Sequence, residues 1–256
     1  MAAYETRYPD LDGQTVFVSG GATGIGAAIV EAFSRQGAQT WFVDIDEAAG
    51  EALAGAVASK TGNKPVFKYC DVTDTASLKD EIARAGNVTG TLHALVNNAA
   101  RDLRIPAAEV TEEDWDALVA INLKHQFFAA QAAYKFMAPA GRGSIINFGS
   151  IAPGQGVSNL SVYSSCKAAA FGLTRSLARD FGAAGVRVNS VVPGAILTPR
   201  QLRDWIDEET KQDIIARQCL KRPMQEDDVA EMVLFLASNA SRGCTAQEFT
   251  VDGGNI

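Results

Sequence analysis

Tyr163 and Lys167 stand four residues apart in Val162-Tyr163-Ser164-Ser165-Cys166-Lys167, a spacing and a pair of residue types suited to proton chemistry. Positions i and i+4 share one face of a helix, so the ammonium can lie beside the phenol. A free tyrosine titrates near ~10 and is protonated at neutral pH. A cation beside it favours the phenolate and lowers its pKa by roughly 1–3 units. A phenol tuned in this way can serve as a general base. Pairs of this kind are common as plain surface neighbours, so the meaning of this one depends on what else the chain brings to it.

Upstream lies a phosphate-binding pattern. Ser19-Gly20-Gly21-Ala22-Thr23-Gly24-Ile25-Gly26 follows a strand-like run and opens a helix-like one. Glycines there let the backbone turn tightly and approach a pyrophosphate, and the helix N-terminus offers free N–H groups to it. The spacing is a variant of the dinucleotide fingerprint, weak alone and much stronger between a strand and a helix. Asp44 closes the second strand, where a carboxylate can accept hydrogen bonds from the adenosine ribose hydroxyls and would repel a 2′-phosphate. Thr23 is uncharged and no Arg or Lys adjoins Asp44, so the expected cofactor is NAD rather than NADP. The competing reading makes Asp44 or Asp46 a helix N-cap. Asp71, with Val72 after it, is placed either to receive the adenine amino group or to close a turn. Asn98 and Ala99 end the fourth strand, at the edge where such sheets bind ligands. Ser150 follows the fifth strand and can share a cleft with Tyr163; it lacks the G-x-S-x-G setting of a hydrolase nucleophile.

The elements that must position these residues alternate. Strands are expected at 15–19, 40–43, 66–69, 94–96, 144–148, 186–192 and 248–251. Helices are expected at 26–36, 47–59, 76–85, 112–137, around Tyr163, at 199–217 and at 227–237. Such alternation implies right-handed βαβ units and a parallel sheet covered on both faces. The strands read as nearly continuous apolar runs, as burial on both faces requires. No Pro/Ser-rich linker or repeat divides the 256 residues. The expectation is α/β: one Rossmann-type, doubly wound parallel sheet of about seven strands, forming a single domain over residues 1–256.

A net charge of −7 argues against nucleic acid or an anionic membrane as the main partner. No apolar run is long enough to span a membrane, and residues 1–10 lack the apolar core of a signal peptide. Cys70, Cys166, Cys219 and Cys244 are scattered without metal or disulfide spacing, and read as reduced packing residues of a cytoplasmic protein. His93 and His125 lack ligand spacing and read as structural; no metal site is expected.

Taken together these residues resemble the short-chain dehydrogenase/reductase family, from Gly20 to the Asp252-Gly253-Gly254 ending. The resemblance implies an active-site tetrad of Asn122, Ser150, Tyr163 and Lys167. It places Pro193, Gly194, the Ile196 backbone and the Thr198 hydroxyl near the nicotinamide. Ser19 stands where the family has Thr, and Ala100 where it has Gly. The implied mechanism is hydride transfer. Tyr163 takes a proton from the substrate hydroxyl, and Ser150 positions the reacting oxygen. Lys167 lowers the Tyr163 pKa and holds the nicotinamide ribose. Asn122 interrupts its helix and anchors a water in the proton relay.

Stretches such as Asn97–Asp102 and Asn122–Gln131 are similar to bacterial aldose 1-dehydrogenases, implying oxidation of a free sugar to its lactone. Arg101, Asp102, Gln155, Ser158, Asn159 and Gln201 are the polar candidates for sugar contact, each also readable as a solvated loop residue. Residues 196–216 are expected to form a lid, and a homotetramer is expected through the helices carrying Asn122 and Tyr163 and the last strand. A polyol or secondary-alcohol dehydrogenase, a 3-oxoacyl-type reductase and a cofactor-binding regulatory protein stay open as alternatives.

Overall fold

The computed structural model describes residues 6–255, so the reading of the extreme N-terminus lies in part outside the described residues. Seven parallel strands form one sheet in the order β3-β2-β1-β4-β5-β6-β7. They are β1 Thr15–Ser19, β2 Gln39–Asp44, β3 Val66–Tyr69, β4 Ala94–Asn97, β5 Gly143–Phe148, β6 Val186–Pro193 and β7 Glu248–Val251. The chain runs outward from β1 to β3, then crosses back to lay β4 against the other side of β1. That reversal opens a crevice at the carboxyl ends of β1 and β4, where ligands of open α/β sheets bind.

Alternate residues of each strand feed opposite layers. Val16, Val18 and Phe42 pack with α1 (Gly24–Arg35) and α10 (Glu226–Ala237), whose Ile29, Phe33, Val229 and Val233 are fully buried. Phe17, Leu95 and Ile145 face α3 (Thr75–Thr89), α5 (His125–Met137) and α7 (Ser161–Gly182). Burying a Phe or Leu side chain in this way contributes roughly 1.5–3 kcal/mol each. Burial on both faces holds for the central strands only. At the two edges, β3 and β7, most positions keep solvent contact, because among the described residues no further strand pairs with their outer sides.

The polar residues at the strand ends follow the register. Ser19 pairs with Asn97, Asn97 with Asn147, and Asn147 with Ser190, a fully buried row across four neighbouring strands. Asn97 Nδ2 donates to Asn147 Oδ1 at 2.9 Å, and Asn147 Nδ2 to Thr174 Oγ1 of α7 at 2.9 Å. This network ties the strand tips to the helix that carries Tyr163.

Two helices differ from expectation. The run 112–137 is α4 (Glu112–Val119), a π-helical turn (Ala120–Lys124) and α5, continuous but widened and underwound at Asn122. The run 199–217 is α8 (Pro199–Asp204) and α9 (Glu208–Arg217), with α2 (Glu47–Thr61) and a short α6 (Ala152–Gln155) completing the set used below. The break follows from capping: Asp207 accepts from the Thr210 N–H at 2.8 Å and starts a new helix. Neither α8 nor α9 buries a residue of its own. The segment is anchored by Ile206 between them and by a bridge from Ile196 to Met224. No helix among the described residues is long and apolar enough to cross a membrane.

Candidate active site

A cleft of about 920 Å³ opens at the carboxyl ends of the strands, beside the point where the strand order reverses. One end is backbone. The β1–α1 turn brings Gly20, Thr23, Gly24, Ile25 and Gly26 to its wall. Gly20 and Gly24 have positive φ, +66° and +54°. A Cβ on Gly26 would stand 1.9 Å from the Gly20 carbonyl oxygen, so the turn closes only with glycine there. Thr23 is the N-cap of α1 but its side chain makes no capping bond, which leaves first-turn N–H groups open to an anion. Asn98 Nδ2 donates to the Gly20 carbonyl at 2.7 Å, and the Ala99 N–H donates to Ser19 Oγ at 3.2 Å. The Ser19 hydroxyl, which also donates to the Val96 carbonyl at 3.4 Å, thus bridges β1 to the end of β4.

Asp44, Asp71 and Val72 line the same end. Asp44 is not a helix cap: Asp46 caps α2 by accepting from the Ala49 N–H at 2.9 Å. Asp44 Oδ2 instead accepts from the Ala22 N–H at 3.0 Å and Oδ1 from the Asp46 N–H at 3.1 Å, which aims the carboxylate at the cleft. Asp71 closes a turn, accepting from the N–H and hydroxyl of Thr73 at 2.9 and 2.7 Å, while still facing the cleft. Pro193, Gly194, Ile196 and Thr198 follow β6 along the middle of the cleft, and Thr198 also caps α8. The glycine cradle, the open helix terminus and Asp44 fit a dinucleotide.

Ser150, Tyr163 and Lys167 meet where the two ends join, with the Ser150 hydroxyl close enough to Tyr163 to favour the phenolate. Lys167 Nζ donates to the Phe148 carbonyl at 3.0 Å and lies 5.7 Å from the centre of the Tyr163 ring. The expected downward pull on Tyr163 is not what the ligand-free chain shows. Burial pushes the Tyr163 hydroxyl up to about 12; the Ser150 hydrogen bond opposes this, Asp102 adds to it and Arg200 opposes it. Lys167 is itself pulled down to about 8 by burial, partly offset by Cys166 and Asp102. Loss of water outweighs the attraction between the two groups.

Asn122 lies beneath this site, fully buried on the π-helical turn. Its Nδ2 donates to the Leu118 and Arg101 carbonyls at 3.0 Å each, and its Oδ1 accepts from the Arg101 N–H at 3.0 Å. The side chain thus pins the loop after β4 to the π-helical turn. Its backbone carbonyl accepts from Gln126 Nε2 at 2.9 Å. His125, the first residue of α5, is pushed down to about 3 by burial and is neutral at ordinary pH. His93 is likewise buried, with Nε2 at 3.0 Å from the Ala237 carbonyl. Cys70 and Cys166 are buried as packing residues, but Cys219 is exposed and Cys244 half-buried.

The sugar-contact candidates divide. Gln155, Gln201 and Asp102 line the cleft. Arg101, Ser158 and Asn159 are exposed and do not line it. The Arg101 backbone is turned inward by Asn122, and Asn159, at φ +63°, uses its carbonyl to accept from the Ile105 N–H. Sequence reasoning passed over Arg104, Val157, Leu160, Arg200, Arg203 and Ile206, which also line this end. They come from three separated segments, and nothing short of the fold brings them together.

A model of the family described as Enoyl-(Acyl carrier protein) reductase matches residues 20–255. The "Probable galactose dehydrogenase GalD" of Rhizobium meliloti (strain 1021) is 44% identical over 99% of this chain and 99% of its own. The D-xylose 1-dehydrogenase of Caulobacter vibrioides (strain NA1000 / CB15N) is 40% identical over 96% of this chain and 97% of its own. Among solved structures, a blue fluorescent protein from a metagenomic library in complex with NADPH superposes with a TM-score of 0.87 at 35% identity, covering 96% of this chain and 99% of that one.

Proposed function

The chain belongs to the short-chain dehydrogenase/reductase family and is an oxidoreductase that binds a nicotinamide cofactor, and from that premise we propose that it oxidises a free aldose at C1 to the lactone, with NAD as cofactor and Tyr163 as base. The observation that carries the reading is the meeting of Ser150, Tyr163 and Lys167 in one cleft with a glycine cradle and Asp44, in a chain closely similar to galactose and xylose dehydrogenases.

Bound NAD would supply the hydride acceptor and a positive ring beside the phenol. Ser150 and Tyr163 hold the C1 hydroxyl between their two oxygens. Tyr163, as phenolate, takes the hydroxyl proton while the C1–H bond breaks with its electron pair, and the C1–O bond becomes the lactone carbonyl. Lys167 holds positive charge within reach of the phenolate and donates to the ribose hydroxyls. Burial holds the Tyr163 pKa high, and the positive ring of bound NAD would lower it. Asn122 positions the loop bearing Asp102 and anchors a water that relays the proton through Lys167. Residues 196–216 cover the substrate end as a lid.

Asp44 supports NAD over NADP. Its carboxylate would accept from the ribose hydroxyls and repel a 2′-phosphate, and the cations that line the cleft, Arg104, Lys167, Arg200 and Arg203, belong to other parts of its wall.

Initial rates of reduced-cofactor formation with NAD and NADP, across aldoses, polyols and simple alcohols, test the proposal. Fast NAD-linked oxidation of aldoses with lactone as product is expected. Activity confined to polyols or alcohols would sink the substrate assignment, and faster turnover with NADP would sink the role of Asp44.

A further inference from the structure

Asp102 and Arg200 face each other across the substrate end of the cleft. Asp102 lies in the loop after β4, and Arg200 and Gln201 lie in α8. The Arg200 guanidinium donates to one Asp102 carboxylate oxygen, and Gln201 Nε2 donates to the other at 3.1 Å. A second contact ties the same two segments, with the Arg104 guanidinium 4.7 Å from the centre of the Trp205 ring. Arg203, the next cation on the wall, is held by Asp204 at 2.7 Å. Arg200 and Arg203 are therefore paired with carboxylates, while Arg104 lies against an aromatic ring.

We propose that the Asp102–Arg200 pair determines substrate charge: it cancels the Arg200 cation at the substrate end, so that neutral polyhydroxylated sugars are accepted and anionic sugars are refused. This rests on the aldose-oxidising reading above. An anionic sugar would need a free guanidinium to offset the loss of water from its carboxylate. Arg200 can supply one only by leaving Asp102, which would then face the incoming anion unpaired. A neutral sugar needs no such exchange, because its hydroxyls can share the outer oxygens and N–H groups of the intact pair.

The pair also bears on Tyr163. The polar and charged groups that reach the phenol are Lys167 on its own helix, Ser150 after β5, Asp102 after β4 and Arg200 on α8. Asp102 makes the phenolate harder to form and Arg200 makes it easier. Their opposite signs offset each other while both are present.

The test uses the full chain, with D-galactose and D-galacturonate as probes. These share the reacting C1 and differ in the charge at C6. Asp102→Asn should raise the galacturonate-to-galactose ratio of kcat/KM roughly tenfold, as expected for one freed ionic contact. Arg200→Gln should lower the ratio by a similar factor, and the double variant should return near the parent. A merely structural latch would move both single variants the same way, and that result, or an unmoved ratio, overturns the proposal. If the parent oxidises neither sugar, the aldose reading fails at this probe, and the pair is judged by ultraviolet phenolate titration against a Tyr163→Phe background. Asp102→Asn should then titrate Tyr163 at lower pH and Arg200→Gln at higher pH; no shift in either overturns the coupling.

Discussion

At the Gly20–Gly26 end of the cleft the wall is backbone, whereas at the Asp102–Gln201 end it is long side chains reaching between segments 98 residues apart. The first end has no slack. A single methyl on Gly26 would overlap the Gly20 carbonyl, and Asn98 ties that same carbonyl down. The second end rests on α8 and α9, which bury nothing, and on polar contacts that are part exposed. Exposed ion pairs contribute little to stability, so they can be exchanged at small cost to the fold. The contrast separates two tasks. A dinucleotide presents the same phosphates and ribose in every turnover and suits a rigid backbone cradle. A sugar is told from its neighbours by charge and hydroxyl placement, which side chains can alter one at a time.

Four substitutions break or sharpen this contrast. Tyr163→Phe, where the halves meet, should cost roughly 10³-fold in kcat, the scale of a lost general base. Its cofactor affinity should fall far less, which fluorescence titration with NADH would show. Gly26→Ala should weaken NADH binding at least ~10-fold and lower the Tm, because the turn must shift by backbone movement. If sugar KM moved instead, the division between the ends would be wrong. Asp44→Asn should narrow the preference for NAD over NADP about tenfold in kcat/KM, equivalent to one charge-assisted interaction, and leave the ranking of sugars unchanged. Lys167→Met should abolish turnover but raise the Tm by about 3 °C at pH 7.

The sign of that last effect follows from linkage. Lys167 titrates near 8 in the fold against 10.5 when unfolded. Between those values the unfolded chain binds more protons, so the parent gains stability as pH rises through the window. The advantage of Lys167→Met should therefore be full below pH 8 and fade toward 10.5. A Tm difference that stayed constant across that range would show that Lys167 is not buried as a charge.

The first half of the cleft was legible before any coordinates. The turn 19–26 lies within one βα unit, and both the need for glycine and the open helix terminus are local properties. Strands 15–19, 66–69 and 248–251 have the expected bounds for a similar reason, since β-rich runs flanked by turn residues leave little choice. The second half was only partly legible. Gln155, Gln201 and Asp102 were singled out as polar residues on the right loops, but so were Arg101, Ser158 and Asn159, which do not line the cleft. Polarity in a loop says nothing about which way the chain turns, and the turn at Arg101 is set by Asn122, distant in sequence. The 199–217 helix was read as one because its composition stays helical throughout. The capping bond from Asp207 decided the break.

Residue type and spacing settled the sheet, the cradle, the acid at Asp44 and the nearness of Tyr163 to Lys167, because each depends on contacts within a turn or a strand–helix unit. The electrostatic state of that last pair could not be settled in the same way. Adjacent placement predicts mutual attraction and a lowered phenol, yet in the folded chain burial drives Tyr163 up and Lys167 down. Solvent exclusion is a property of the whole packed molecule, and so are the long-range partners that modify it: Asp102, Arg200 and Ser150 reach Tyr163 from three different segments.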